Sequence, residues 1–314
     1  MMKWLRRAFA LVAGIYAAGV TGFLLLRTLL GDRIPLLGFI ADFTPFFFAP
    51  LLGLLPASLI LRSRTAMWML AAPSAIGALL IGRWYVPKAS APPSPRAFTV
   101  VNYNVLFSNR HIVQAVQQLA ASADILVLEE LPYAFEHGIE AVRAEYPYQR
   151  YSDTNAILSR YPFDPSREGI DPAIVLIDGQ PVAVYAIHAP LPLSPGVGHG
   201  MLEMFRHYSP PHRDVAMTSL IDAVRAETRP FIVVGDFNMT EFATLYGRLA
   251  GVMTDSYREV GTGLGFTWSL MHPFPTVRID YVWHSPQFRA VRAERDLTPS
   301  GSDHAPLSVM LDWR

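Results

Sequence analysis

FIVVGDFNMT, residues 231–240, opens on the apolar run Phe231–Val234, breaks at Gly235 and ends on Asp236 and Asn238. Aromatic and β-branched residues in a row, closed by glycine, read as a buried strand that delivers an acid and an amide where it stops. Five other segments repeat the pattern. VVNYNVL delivers Asn104, DILVLEELP delivers Glu129 and Glu130, VYAIHAPLP delivers His188, VRIDYVW delivers Asp280, and SGSDHAPLSV delivers Asp303 and His304. Taken singly, each has a plain explanation. Asn104 would be a turn residue, the two glutamates a solvated strand end, His188 a satisfied core histidine, and Asp236 the shaper of an Asx turn. Their coincidence, each on its own strand, points to one cleft along a shared sheet edge.

Around these segments the chain alternates strands and helices. Strands are expected at 98–101, 124–129, 155–159, 173–177, 181–187, 230–234, 279–284, 288–294 and 305–312. Helices are expected at 109–122, 134–144, 212–227 and 240–250. Asp178-Gly179 joins two of the strands as a hairpin. Hairpins among helix–strand alternations favour two packed mixed sheets flanked by helices over a doubly wound parallel sheet. No Gly-rich phosphate loop and no GxSxG is present. The absence of cysteine excludes a disulfide framework, a thiol nucleophile and a cysteine-held zinc or iron–sulfur site.

The 314 residues divide by charge. Residues 1–96 carry ten Lys+Arg against Asp32 and Asp42, and residues 97–314 carry 16 against 24 acids. All nine histidines lie in the second part. Residues 8–26, 43–61 and 66–82 are uncharged. The first, at 1.5 Å per residue, spans roughly 28 Å, about a bilayer core. Residues 1–86 are therefore expected to be a membrane region of about three transmembrane helices. Pro45, Pro50 and Pro56 interrupt the second of these. Lys3, Arg6 and Arg7 favour an inside N-terminus. Three spans would then make a multi-pass protein with its catalytic domain on the extracytoplasmic side. Residues 87–97, PKASAPPSPRA, read as an extended linker, and 98–314 as the catalytic domain.

The segments DILVLEE, NAILSRYP, VVGDFN, RIDY and SDHAP, in that order, resemble the endonuclease/exonuclease/phosphatase superfamily with its DNase I-like fold, and the stretch GFTWSLMHPFPTVRIDY, residues 265–281, also resembles its membrane-anchored bacterial members. The resemblance covers about residues 97–314. It implies a four-layer α/β sandwich, and a Mg²⁺-dependent hydrolysis of a phosphoester by water, with Mn²⁺ as the alternative ion. It further implies that Glu130, Asn104 and Asp303 serve the metal, and that Asp236 positions or deprotonates the water. Asn238 and His188 would bind phosphoryl oxygens. His304, oriented by Asp280, would be base or phosphate stabiliser, and Trp268 would line the cleft. Two departures stand out: Glu129 occupies the place of a glutamine, and Leu106 that of an aspartate.

A phosphoester is an anion, so a carboxylate-rich cleft needs a hard cation to invert its field. The expected partners are the lipid bilayer and a small or lipid-linked phosphoester, including a lipid head group. The acidic, lysine-free domain ranks nucleic acid behind these. The long segment after His188, through residue 213, would be a lid or lipid-facing surface. The alternatives are a membrane-tethered nuclease, marked by steeply salt-dependent DNA degradation, and a non-catalytic membrane binding module. The second would require substituted core positions, yet Glu130, Asp236, Asn238, Asp303 and His304 are all present.

Overall fold

Buried β-branched runs become strands because both faces of each can be covered. The computed structural model describes residues 2–132, 142–169, 171–193, 206–269, 276–298 and 301–314. The first sheet is built from β1 (Phe98–Asn104), β2 (Ile125–Glu129), β3 (Tyr148–Ser152), β4 (Asn155–Ser159), β10 (Phe288–Arg295) and β11 (Leu307–Trp313). The second holds β5 (Ala173–Ile177), β6 (Gln180–His188), β7 (Phe231–Asp236), β8 (Thr254–Asp255) and β9 (Asp280–His284). Their orders are β10-β11-β1-β2-β4-β3 and β5-β6-β7-β9-β8. Each sheet is mixed: β1–β2 and β6–β7 run parallel, and their other pairings are antiparallel.

Side-chain alternation sorts the faces. Val100, Ile125, Val127, Val175, Val184, Ile232, Val234 and Val282 fill the space between the sheets. Val101, Tyr103, Leu126 and Leu128 point the other way, onto Ala115 and Val116 of helix α6 (Ile112–Ala120). Helix α7 (Pro211–Ala226) buries Met217, Leu220, Ile221 and Val224, and the shorter α8 (Thr244–Ala250) buries Leu245 and Leu249. This is the expected pair of mixed sheets with flanking helices.

Three elements escaped the sequence reading. The β3 strand, YQRYS, is a polar edge strand with no apolar alternation. The others, β8 and the helix α9 (Ser256–Val260), are held by Asp255, whose carboxylate caps Tyr257 and Arg258. The expected helix 134–144 and the segment after His188 fall largely outside the described residues.

The N-terminal region departs from expectation. The chain divides into two compact units: residues 1–86 with Phe242–Thr244, and the remainder. Among the described residues one helix, Met2–Arg33, is long and apolar enough to cross a membrane. Its regular α-helical part is α1 (Met2–Leu30). The second expected span, 43–61, forms α3 (Thr44–Phe47) and α4 (Leu51–Ile60), preceded by the short α2 (Pro35–Ala41). Pro35–Ala41 and Thr44–Ile60 meet at 71°, so together they make at most one further, broken span. Pro45, in the first turn of α3, cannot continue α2, since it has no helix donor and clashes with the preceding turn. The third expected span, 66–82, becomes α5 (Arg64–Leu80), 17 residues that begin on a charge. At about 26 Å it falls short of a bilayer core. Three transmembrane helices and a multi-pass topology are therefore not what the chain forms. The extracytoplasmic placement, which rested on counting three spans, falls with them.

A buried ion network locks the rear of the second sheet. Arg278, 1% exposed, donates to Asp255 at 2.6 Å and to Glu241 at 2.7 Å. Arg258 donates to Glu241 at 2.6 Å, and Tyr246 to Asp255 at 2.7 Å. Burial works against the Asp255 charge, but Arg278 outweighs it and holds the carboxyl below its ordinary value. A depressed carboxylate contributes stability that is present above its unfolded pKa of about 4 and is lost as pH falls through the folded value. Arg278→Met is expected to cost about 3–5 kcal/mol at pH 7, by leaving the buried Asp255 carboxylate without its cation while Glu241 keeps Arg258. Urea unfolding at pH 7 and pH 3 checks both points, and the gap between wild type and variant should shrink in acid.

Candidate active site

The parallel pairs β1–β2 and β6–β7 end at the same edge, which is how residues far apart in sequence meet. Register pairs Asn104 with Glu129, His188 with Asp236, and Asp236 with Asp280. Gly235 permits this approach: its φ is +150°, and a Cβ there would lie 1.8 Å from the carbonyl oxygen of Ile187. Only glycine fits.

Asp280 is the centre. His304 places Nδ1 2.9 Å from Asp280 Oδ2, and its Nε2 lies 3.8 Å from Asp236 Oδ2. Asn102 donates to Asp280 Oδ1 at 3.2 Å. The hydroxyl of Thr267 accepts from the backbone N–H groups of Ile279 and Asp280, fixing the strand entry. Ser302 donates to Asn104 O and accepts from His304 N, tying the SDH turn to β1.

Asn104 spans the acids. Its amide donates to Glu130 at 3.0 Å and to Asp236 at 3.2 Å, while its oxygen accepts from Leu106 N. His188 Nε2 stands 3.6 Å from Glu130. Glu130 and Asn238 both have positive φ, 57° and 47°, so each is aimed by a left-handed turn. Asn238 takes its backbone hydrogen bond to Asp236 Oδ1 and donates its side chain to Ala189 O. Asp303 accepts from Trp268 Nε1 at 2.9 Å and keeps a second, buried oxygen unpartnered. The Trp268 ring lies 6.4 Å from that of His304, between centroids. All nine residues singled out from the sequence thus gather at one edge.

Charge state follows from burial and neighbours. Burial disfavours a cation at His304, but Asp280, Asp236 and Asp303 outweigh it and push its pKa up to about 10. Burial pushes Asp236 up to about 7, with His304 opposing and Asp280 adding to the rise. Burial lowers His188 despite the attraction of Glu130, and the nearby His304 lowers it further. At neutral pH, without a metal, His304 is an imidazolium and His188 a neutral donor and acceptor.

Asp236, Asp280 and His304 offer ligand atoms within 4.8 Å of one another, a set distinct from the expected Glu130, Asn104 and Asp303. Hard oxygens with one imidazole suit a divalent cation, and the buried Asp303 oxygen, without a hydrogen-bond partner among the described residues, is an acceptor of the kind such an ion satisfies. The residues fit a metal.

Comparison with known proteins then decides the family. The model of the endonuclease/exonuclease/phosphatase family matches residues 101–304. The chain belongs to the endonuclease/exonuclease/phosphatase family. With its buried Asp–Asp–His cluster, it is a metal-dependent phosphoesterase. No curated protein matches it in sequence. Among solved structures, an endonuclease/exonuclease/phosphatase from Beutenbergia cavernae is 18% identical, with 69% of this chain and 72% of that one covered and a TM-score of 0.51. One from Bacteroides vulgatus is 16% identical, with 69% and 99% covered and a TM-score of 0.51. The D. rerio TDP2 structure complexed with single-strand DNA product is 15% identical, with 69% and 99% covered and a TM-score of 0.53. These likenesses show the fold. The last corrects the expectation that nucleic acid ranks behind lipid, because this architecture carries DNA in that relative. The error lay in reading a domain-wide net charge, whereas a cation-loaded cleft sets the local field.

Three contributors were missed from sequence. Asn102 lies two residues before Asn104 and so on the same strand face, a parity that would have flagged it. Thr267 lies next to Trp268 in GFTWSLMHPFPTVRIDY but was given no role there. Arg213, 1% exposed, donates to Asn238 O at 3.0 Å and pins the turn, and no local pattern announces a buried arginine. Asp280→Asn in metal-free protein is expected to lower the His304 pKa from about 10, since it removes the largest charge that offsets burial while Asp236 and Asp303 remain. An NMR titration of the imidazole checks this.

Proposed function

We propose that the enzyme hydrolyses phosphoesters with water as nucleophile and Mg²⁺ as its cofactor, Mn²⁺ substituting. Its substrates include phosphodiester ends of nucleic acid, and α1 serves as a single membrane tether. The observation that carries the reading is the buried line Asp280–His304–Asp236, with contacts of 2.9 and 3.8 Å, at the mouth shared by both sheets.

The roles follow from the donor inventory. Glu130 and Asp303, steered by Asn104 and Trp268, hold the cation together with Asp236 and the His304 cluster. When bound, the ion polarises a phosphoryl oxygen and offsets the repulsion between anionic substrate and carboxylates. Asp280 accepts from His304 Nδ1 and so fixes the ring with Nε2 toward Asp236. Asp236 orients water and takes its proton. Neutral His188 and the second amide hydrogen of Asn238 donate to phosphoryl oxygens as charge builds. Trp268 lines the cleft beside them. Nucleic-acid ends are supported by the D. rerio relative with its DNA product.

The test is hydrolysis of bis-p-nitrophenyl phosphate, single-stranded DNA and phospholipid by the full chain in detergent. A chelator should abolish turnover and Mg²⁺ restore it. Asp236→Ala should lower it by about 10²–10⁴-fold. Activity that survives the chelator, or an Asp236→Ala enzyme at wild-type rate, removes the reading. Cleavage of the small diester alone would restrict the substrates to small phosphoesters.

A further inference from the structure

The N-terminal unit holds a groove that the hydrolase chemistry does not touch. It lies between α1 and the start of α5 and encloses about 630 Å³. Ala10, Gly14 and Ala18 line it at a spacing of four residues, so they form one stripe down α1. A Cβ on Gly14 would sit 3.1 Å from Met69 Sδ, and the bare glycine lets α5 come this close. Leu11 and Ile15 flank the stripe and are 64% and 65% exposed. From Arg6 to Ala18 the groove runs about 18 Å along the helix axis, a little over half a bilayer core.

One end of the groove is basic. Arg6 and Arg7 enter it from the first turns of α1, and Arg62 and Arg64 from either side of Ser63, the cap of α5. No acid lines it. Asp32, one of the two acids in residues 1–86, is paired with Arg27 near the other end of α1. Among the described residues none of the four arginines has an ion-pair partner, and Nε of Arg6 is buried with no acceptor. Four guanidinium groups at the end of an apolar stripe match a ligand that carries a phosphate and a hydrocarbon chain together. A free anion would use the arginines and leave Leu11 and Ile15 in water. A second copy of the same face would set four more arginines against these four. A zwitterionic lipid would bring its own cation to them. We propose that the groove binds one anionic phospholipid, with its phosphate on Arg6, Arg7, Arg62 and Arg64 and an acyl chain along Ala10, Gly14 and Ala18. The lipid is a bound ligand of the tether, not a substrate. The inference rests on α1 as a membrane tether for its supply of lipid, and not on the hydrolysis.

The test uses the full chain in neutral detergent with a chelator, so that nothing is turned over. Fluorescent phosphatidylglycerol and phosphatidylcholine are titrated in turn, and anisotropy is read. Wild type is expected to saturate at one phosphatidylglycerol per chain and to bind phosphatidylcholine about tenfold or more weakly. Arg6→Gln combined with Arg64→Gln should weaken phosphatidylglycerol by about tenfold or more and bring it level with phosphatidylcholine. Ala18→Phe, at an exposed position, should weaken both lipids by narrowing the groove. Asp236→Ala should alter neither. Equal affinity for the two lipids in wild type overturns the proposal whether or not the variants fold. So do uptake that never saturates, an arginine variant at wild-type affinity, inorganic phosphate that binds as tightly as the lipid, and loss of binding in Asp236→Ala, which would put the lipid in the catalytic cleft. Alkaline extraction of membranes carrying the chain separates the site from the tether. A chain that resists extraction but shows no lipid preference loses the site and keeps the tether. One that is extracted but keeps the preference does the reverse.

Discussion

The Asp280 carboxylate is fully buried, and the site is arranged around the donors it needs there. His304, Asn102 and the strand entry held by Thr267 all point at it. An isolated buried carboxylate is too costly to keep, so it persists only with donors in fixed positions. The imidazolium of His304 is the largest of these, and its raised pKa expresses the same attraction seen from the other partner. The acids that gather around it, Asp236 and Asp303 among them, give the site the oxygen donors that a divalent cation takes.

Sheet topology supplies the geometry. Two parallel pairs, one in each sheet, end at one edge, so acids from β2, β7 and β9 meet although they are far apart in sequence. The close approach of β6 and β7 depends on Gly235, and the aim of Glu130 and Asn238 on left-handed turns. The apolar inner face below then changes to amides and acids within one strand step, at Asn102 and Glu129. The wall of the core is also the floor of the site.

Much of this was legible in the residues. Apolar runs stopping at Asn104, Glu130, His188 and Asp236, with Asp280 at the start of its own strand, marked both strands and cleft, because such groups recur at the ends of several separate buried strands. Asp178-Gly179 marked its hairpin, and both residues adopt positive φ there. The polar edge strand β3 was not legible, since its hydrogen bonds to β4 rather than its side chains make it a strand. Membrane spans were over-read, because hydropathy counts apolar residues without asking whether prolines leave a straight helix. The ranking of nucleic acid failed for a related reason: an average over a domain says little about one cleft.

Composition, period and motif order by themselves determined that the chain would build two mixed sheets and put acids, amides and histidines at strand ends. Those are properties of single segments, set by alternation and by the cost of burying unpaired polar groups. Tertiary structure alone decided which groups pair: that His304 meets Asp280 and Asp236, that Arg213 pins Asn238, and that Glu129 is sealed without a partner. Such pairings depend on the register between strands and the packing of sheet on sheet, and no local stretch of the chain encodes a distance to another.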